Sequence, residues 1–126
     1  QEEAHLDFQR VKNVDELEAR LAQAREAGQP VMLDFYADWC VACKELEKYT
    51  FSDPTVQAAV DDALLLQADV TANSAEDKAL LKRFELFGPP AVLFFDAQGN
   101  ERKNYRIVGF KEAEPFARHA EQAFGG

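Results

Sequence analysis

Three observations predict an α/β domain, with a central mixed β-sheet and helices on both faces. Apolar runs of strand length lie at residues 31–37, 63–70 and 91–95, and near-continuous apolar character suits strands covered on both sides. Segments with helical apolar spacing separate them, and strand–helix–strand units imply parallel pairing through right-handed crossovers. A turn signal, Ala97-Gln98-Gly99-Asn100, follows the last run and predicts a hairpin, which adds antiparallel pairing.

The elements follow in order. Residues 1–4 read as a polar tail, and Leu6, Phe8 and Val11 mark a short strand. Asn13 can cap a helix with inward positions Val14, Leu17, Leu21 and Ala24, which Gly28 ends and Pro30 keeps from resuming. Residues 31–37 form the first central strand. A helix follows Cys40 and breaks near residues 50–52, and Asp53-Pro54 restarts it as N-cap and first helical residue. After the strand at 63–70, Asn73 or Ser74 caps the next helix, with Glu76 or Asp77 at the capping-box position. Leu80, Leu81 and Phe84 mark its inner side, and Gly88-Pro89-Pro90 stops it. Residues 91–95 and 104–110 form the hairpin, with Gly109 at a bulge. The last helix spans residues 111–124 on the face Ala113, Phe116, Ala117, Ala120 and Phe124, with Pro115 tolerated in its first turn. The predicted division is residues 1–11 as tail and short strand, and residues 12–126 as one domain.

With 126 residues and 47 % hydrophobic content, the chain can bury a core without staples. Its net charge of −9 argues against nucleic acid, which needs basic patches. No apolar run approaches the roughly 20 residues of a membrane span, so no direct membrane insertion of this segment is expected. No signal peptide is visible, and the start at Gln1 reads as a processed protein or a piece of a longer one.

The chemistry concentrates in one stretch, Asp34-Phe35-Tyr36-Ala37-Asp38-Trp39-Cys40-Val41-Ala42-Cys43-Lys44. It holds the only two cysteines, placed where a buried strand ends and a helix begins. The first helical turn has unpaired N–H groups and a positive dipole end, which stabilise a thiolate. A C-x-x-C at such a position reads as a redox-active dithiol. A structural zinc site wants four ligands, and His5 and His119 lie far off in sequence. A purely structural disulfide over so short a loop restricts the unfolded chain little.

Cys40, at the helix start, reads as the nucleophile, and Cys43, one turn further in, as the more buried resolving thiol. Trp39 reads as rim packing and as docking surface. Asp34 is the one charge in an apolar strand, and carboxylates are seldom buried unless paired. Glu47 follows Cys43 by four residues and shares its helix face. The spacing leaves two readings of Glu47 open: an acid beside the thiols, or a solvated side chain paired with Lys44 or Lys48. For Asp34 the bland alternative is a structural hydrogen bond at the strand end. His5 and His119 read as surface residues, and Phe35, Tyr36, Phe94 and Phe95 as core.

The element order and the W-C-x-x-C resemble thioredoxin over about residues 12–124. Val41-Ala42 replaces the Gly-Pro usual between the cysteines. The run from Tyr36 to Lys44, then Glu47-Lys48-Tyr49-Thr50-Phe51, Asp69-Val70-Thr71-Ala72-Asn73 and Leu93-Phe94-Phe95-Asp96, resembles the C-terminal periplasmic domain of the DsbD family of transmembrane thiol–disulfide interchange proteins. That resemblance implies a thioredoxin-like fold and a protein-disulfide reductase without cofactor or metal. It implies electrons arriving from a membrane-embedded cysteine pair and leaving to an immunoglobulin-like N-terminal domain, on the way to disulfide isomerases and cytochrome c maturation. It places the domain in the periplasm, tethered to the inner membrane and monomeric when isolated. It supports functional roles for Asp34 and Glu47, and a substrate-facing surface of Trp39, Val41, Ala42 and Pro90. Pro90 matches the cis-proline position, where it would leave neighbouring backbone groups free to pair with a substrate chain. Pro89 before it departs from the family pattern. The competing readings are a stand-alone periplasmic thioredoxin-like reductase, a metal-binding C-x-x-C module and a catalytically idle interaction domain.

Overall fold

The computed structural model describes residues 5–125, so the polar-tail reading of residues 1–4 lies outside them. Four strands form one sheet in the order β1-β3-β2-β4: β1 (Gln9–Arg10), β2 (Val31–Tyr36), β3 (Leu64–Asp69) and β4 (Ala91–Phe95). β1 and β2 both run parallel to β3, whereas β4 runs antiparallel to β2. Every residue of β2 and β4 is buried, because β2 is interior and layers cover both faces.

One layer packs α1 (Val14–Ala27) and α4 (Ala75–Arg83) through Leu17, Ala24, Leu80 and Leu81 onto Leu33, Phe35, Leu66 and Leu93. The opposite layer packs α3 (Pro54–Ala59) and α5 (Ala113–Phe124) through Val56, Phe116, Ala117 and Ala120 onto Met32, Val92 and Phe94. The expected mixed sheet with helices on both faces is therefore present.

The local signals act as read. Asn13 accepts from the Glu16 N–H, and Gly28 closes α1 at φ 67°, a conformation glycine adopts without penalty. Asp53 caps α3 ahead of Pro54. Ser74 and Asp77 form the capping box of α4.

Three expectations are corrected. First, residues 104–110 do not form a strand. Arg102 N–H donates to Phe94 and Ile107 pairs with Val92, so this segment spends three residues more than its partner. The surplus, Lys103–Tyr105, coils into a 3₁₀ turn. Second, the helix after Cys40 is α-helical only over α2 (Val41–Glu45), and Leu46–Thr50 continues it as a wider π turn. Third, α4 ends at Arg83 rather than at Gly88. Glu85 takes φ 60° where glycine is usual, and the Leu86 N–H returns to Leu81 O. Arg106 then donates to Phe84 O at 2.9 Å, which ties down the loop leading to β4.

Candidate active site

The carboxyl end of β2 feeds directly into α2, and Cys40 is the N-cap of that helix. Its Sγ accepts the Cys43 N–H at 3.1 Å, so an otherwise orphaned first-turn donor points at sulfur. Cys40 and Cys43 form a disulfide with their Cα atoms 5.2 Å apart. Both residues are buried, at 6 % and 4 % exposure; Cys43 is the more buried, as expected, but by a margin too small to separate their roles. Direction separates them. Cys40 Sγ caps the helix start, while Cys43 Sγ lies 3.7 Å from the Phe35 carbonyl, inside the fold.

The loop before Cys40 is braced from the turn after β3. Asp38 N–H donates to the Thr71 hydroxyl at 2.8 Å, and the Trp39 indole N–H donates to Thr71 O at 3.0 Å. The rest of Trp39 stands out at 60 % exposure, and Val41 at 73 %. Ala42 is half-buried. The β2–β4 register pairs Phe35 with Ala91, which brings Pro90 to the same end of the sheet as the cysteines. The Pro89–Pro90 bond is cis, in line with the sequence expectation. Pro90 lines an open groove with Phe87 and Val108, both strongly exposed.

Alternation along β2 puts Asp34 on the Met32 side, where Leu46 of the π turn packs. Asp34 is 3 % exposed and accepts from the Gln67 amide at 2.8 Å. Burial pushes its carboxyl up from 3.8 to about 7; the Gln67 hydrogen bond works against that rise, the Glu47 charge adds to it, and Arg10 opposes it. A carboxyl poised near neutrality can take or give a proton at working pH.

Glu47 is exposed rather than buried with the cysteines. It lines a crevice of about 240 Å³ together with Arg10, Gln67, Phe51 and the segment from His5 to Phe8. The alternative pairing with Lys44 or Lys48 does not form among the described residues. The Lys44 ammonium goes to the Tyr36 hydroxyl and Lys48 lies over the Tyr49 ring. His119 is not a free surface residue. Its Nε2 lies 2.6 Å from Tyr105 O, and its ring packs on Phe94 and Tyr105.

Sequence reasoning passed over Gln67, Arg10 and Phe87. Gln67 carries a legible signal, because it is a polar residue inside the apolar run of β3. Arg10 and Phe87 carry none, since both are ordinary surface positions until the fold places them.

Among the described residues no group of three His, Cys, Asp or Glu side chains could hold a metal ion, and no helix is long and apolar enough to cross a membrane. A disulfide-forming Cys-x-x-Cys at a helix start, on this sheet, defines a thioredoxin-fold thiol–disulfide oxidoreductase domain. The thioredoxin-like family matches residues 12–97. The chain is 64 % identical over 117 residues to DsbD of Cronobacter sakazakii, covering 93 % of this chain and 20 % of that protein. It is 58 % identical over 119 residues to DsbD of Escherichia coli K12, covering 94 % of this chain and 21 % of that protein. It thus spans about one fifth of the length of the curated relatives it matches. The oxidised C-terminal domain of Neisseria meningitidis DsbD superposes with a TM-score of 0.80 at 40 % identity, covering 91 % of this chain and 99 % of that one. Its reduced form superposes at 0.77. The chain belongs to the thioredoxin-like family and, within it, to the C-terminal domains of DsbD.

Proposed function

We propose that this domain is the electron-transferring C-terminal module of a membrane-tethered thiol–disulfide interchange protein on the periplasmic side. It receives two electrons from a membrane-embedded dithiol and delivers them to an immunoglobulin-like partner domain. One observation carries this reading: the Cys40–Cys43 disulfide sits at a helix start, amid exposed apolar side chains at one end of the sheet. Exposed apolar groups gathered around a reactive bond favour a protein partner.

In the reduced domain the Cys40 thiolate attacks one sulfur of the partner disulfide. A mixed disulfide forms and one partner thiolate leaves, to be protonated. Cys43 then loses its proton and attacks Cys40 Sγ. The second partner thiolate is released, and the Cys40–Cys43 disulfide closes. Two electrons and two protons pass to the partner. Asp34 and Glu47 act on this proton traffic, while Trp39, Val41, Ala42 and the backbone beside Pro90 meet the partner chain.

The direct test mixes the reduced chain with the isolated immunoglobulin-like domain and with unrelated protein disulfides. Fast, selective reduction of the former is expected. Equal rates on all substrates would replace the relay with a stand-alone reductase.

Phe87 provides a second check. Phe87→Ser removes a fully exposed apolar contact, so it should lower kcat/KM for the partner roughly tenfold and leave the melting temperature unchanged. An unaltered kcat/KM would remove the Phe87 loop from the docking surface.

Negative charge beside a desolvated thiol disfavours the thiolate, so the acids should hold Cys40 above an ordinary reactive cysteine. Asp34→Asn and Glu47→Gln should each move the pH midpoint of Cys40 alkylation downward, and the carboxyl and thiol should titrate as a coupled unit. A superimposable profile in the double variant would leave both acids as structural residues.

A further inference from the structure

We propose that Arg10 is a positioning residue that acts on Asp34 through Gln67, by fixing which end of the Gln67 amide faces the carboxylate. The sheet register sets this up. Arg10 pairs with Gln67 across β1 and β3, and Gln67 pairs with Asp34 across β3 and β2. Registered neighbours project to the same face, so the three side chains form one polar rung from the sheet edge to the buried acid. Arg10 Nε donates to Gln67 Oε1 at 2.6 Å, and Gln67 Nε2 donates to Asp34 Oδ2 at 2.8 Å.

A glutamine amide can present either a carbonyl or an NH₂. A guanidinium donates only, so it accepts no other partner than the carbonyl. With Arg10 in place, the NH₂ is left for Asp34, and that arrangement favours the ionised carboxylate. Were the amide to turn over, its carbonyl would face Asp34 and would favour the protonated acid. Gln67 is 5 % exposed, so little water reaches it to absorb the difference.

Arg10 is itself anchored. Its Nη1 donates to Asp69 Oδ2 at 2.9 Å, and Asp69 Oδ1 accepts from the Thr71 N–H at 2.9 Å. Thr71 is also the residue that holds Asp38 and Trp39, so the same brace reaches the loop before Cys40. The groups bearing on Asp34 are Gln67 from β3, Glu47 from the π turn and Arg10 from β1. Val92, its registered neighbour on β4, is apolar. Glu47 opposes ionisation, and the Arg10–Gln67 couple favours it. The short edge strand β1 therefore sets the charge of the buried acid in β2.

The test uses the oxidised chain, in which neither cysteine titrates. The Asp34 carboxyl carbon and the Gln67 side-chain NH₂ are followed by NMR from about pH 4 to about pH 9. In the wild type both signals should turn over at one shared midpoint. In Arg10→Met the Gln67 signals should stop following Asp34, and the Asp34 midpoint should rise by roughly one pH unit. Arg10 is an exposed edge residue, so this variant keeps its core, and a melt confirms it. In a Gln67→Met background the Arg10→Met shift should shrink to what the bare charge supplies. Unchanged tracking of Asp34 by Gln67 in Arg10→Met would overturn the proposal. So would an equal Asp34 shift in both backgrounds, since Arg10 would then act by charge alone. Should Gln67→Met not fold, the Gln67 signals in Arg10→Met decide by themselves. The consequence for disulfide exchange rests on the proposed function. The titration does not, so the two fail separately.

Discussion

Cys43→Ala will accumulate a mixed disulfide with the partner through Cys40, and Cys40→Ala will accumulate none. The asymmetry follows from where each sulfur points. Cys40 Sγ is the helix cap and receives the Cys43 N–H at 3.1 Å, which stabilises negative charge on that sulfur. Cys43 Sγ faces the Phe35 carbonyl, which offers a thiolate no donor. A partner disulfide arriving over Trp39 and Val41 therefore meets Cys40 first. With Cys43 gone, nothing attacks the mixed disulfide from within, and it persists until an outside thiol resolves it. Turnover should be lost in both variants, but only Cys43→Ala should show the adduct on a non-reducing gel. Equal adduct in the two variants would reverse or abolish the assignment of roles.

Asp34→Asn should stabilise the oxidised domain at pH 8 and lose that advantage on acidification. The Asp34 carboxyl sits at about 7 in the folded domain against 3.8 for the unperturbed group, chiefly because burial penalises its charge. Between those values the folded state holds the proton that the unfolded chain has released. Stability from this group is therefore complete below the lower value and falls as pH rises toward the upper one. At about 1.4 kcal/mol per unit, the full loss is about 4 kcal/mol. Asparagine does not titrate and keeps an oxygen for the Gln67 amide, so it escapes the loss. Urea unfolding of both oxidised proteins at several pH values reads the effect. Stability curves that stay parallel from pH 4 to pH 8 would show that Asp34 carries no buried charge. A large gain at neutral pH would also show that the acid is held against stability, as expected of a group kept for chemistry.

The legible parts of this protein are those that chemistry settles within a few residues. Asn13, Gly28, Asp53 with Pro54, and Ser74 with Asp77 each act through a hydrogen bond or a backbone angle within the adjoining turn, so their types at those positions suffice. The Cys40–Cys43 pair is legible for the same reason, since both its spacing and its place after an apolar run are local. Asp34 stands out because a lone charge in a buried strand has to be accounted for. The misread segments depend on partners. Residues 104–110 have a strand-like composition, yet the pairings of Arg102 with Phe94 and Ile107 with Val92 leave three residues over, and no local signal counts them. The wider turn at Leu46–Thr50 and the early stop at Glu85 are likewise settled by what those segments pack against.

By itself, then, the sequence determined the order of elements up to β4 and the last helix, the helix caps named above and the place of the cysteine pair. Local sterics and local hydrogen bonds leave few alternatives there. Only the tertiary structure decided that Gln67 meets Asp34 across 33 residues, that Arg10 reaches both through the sheet edge, and that Phe87 and Val108 share a groove with Pro90. Those neighbours are set by strand register. Register follows from burying two apolar layers at once, which no stretch of the chain can specify alone.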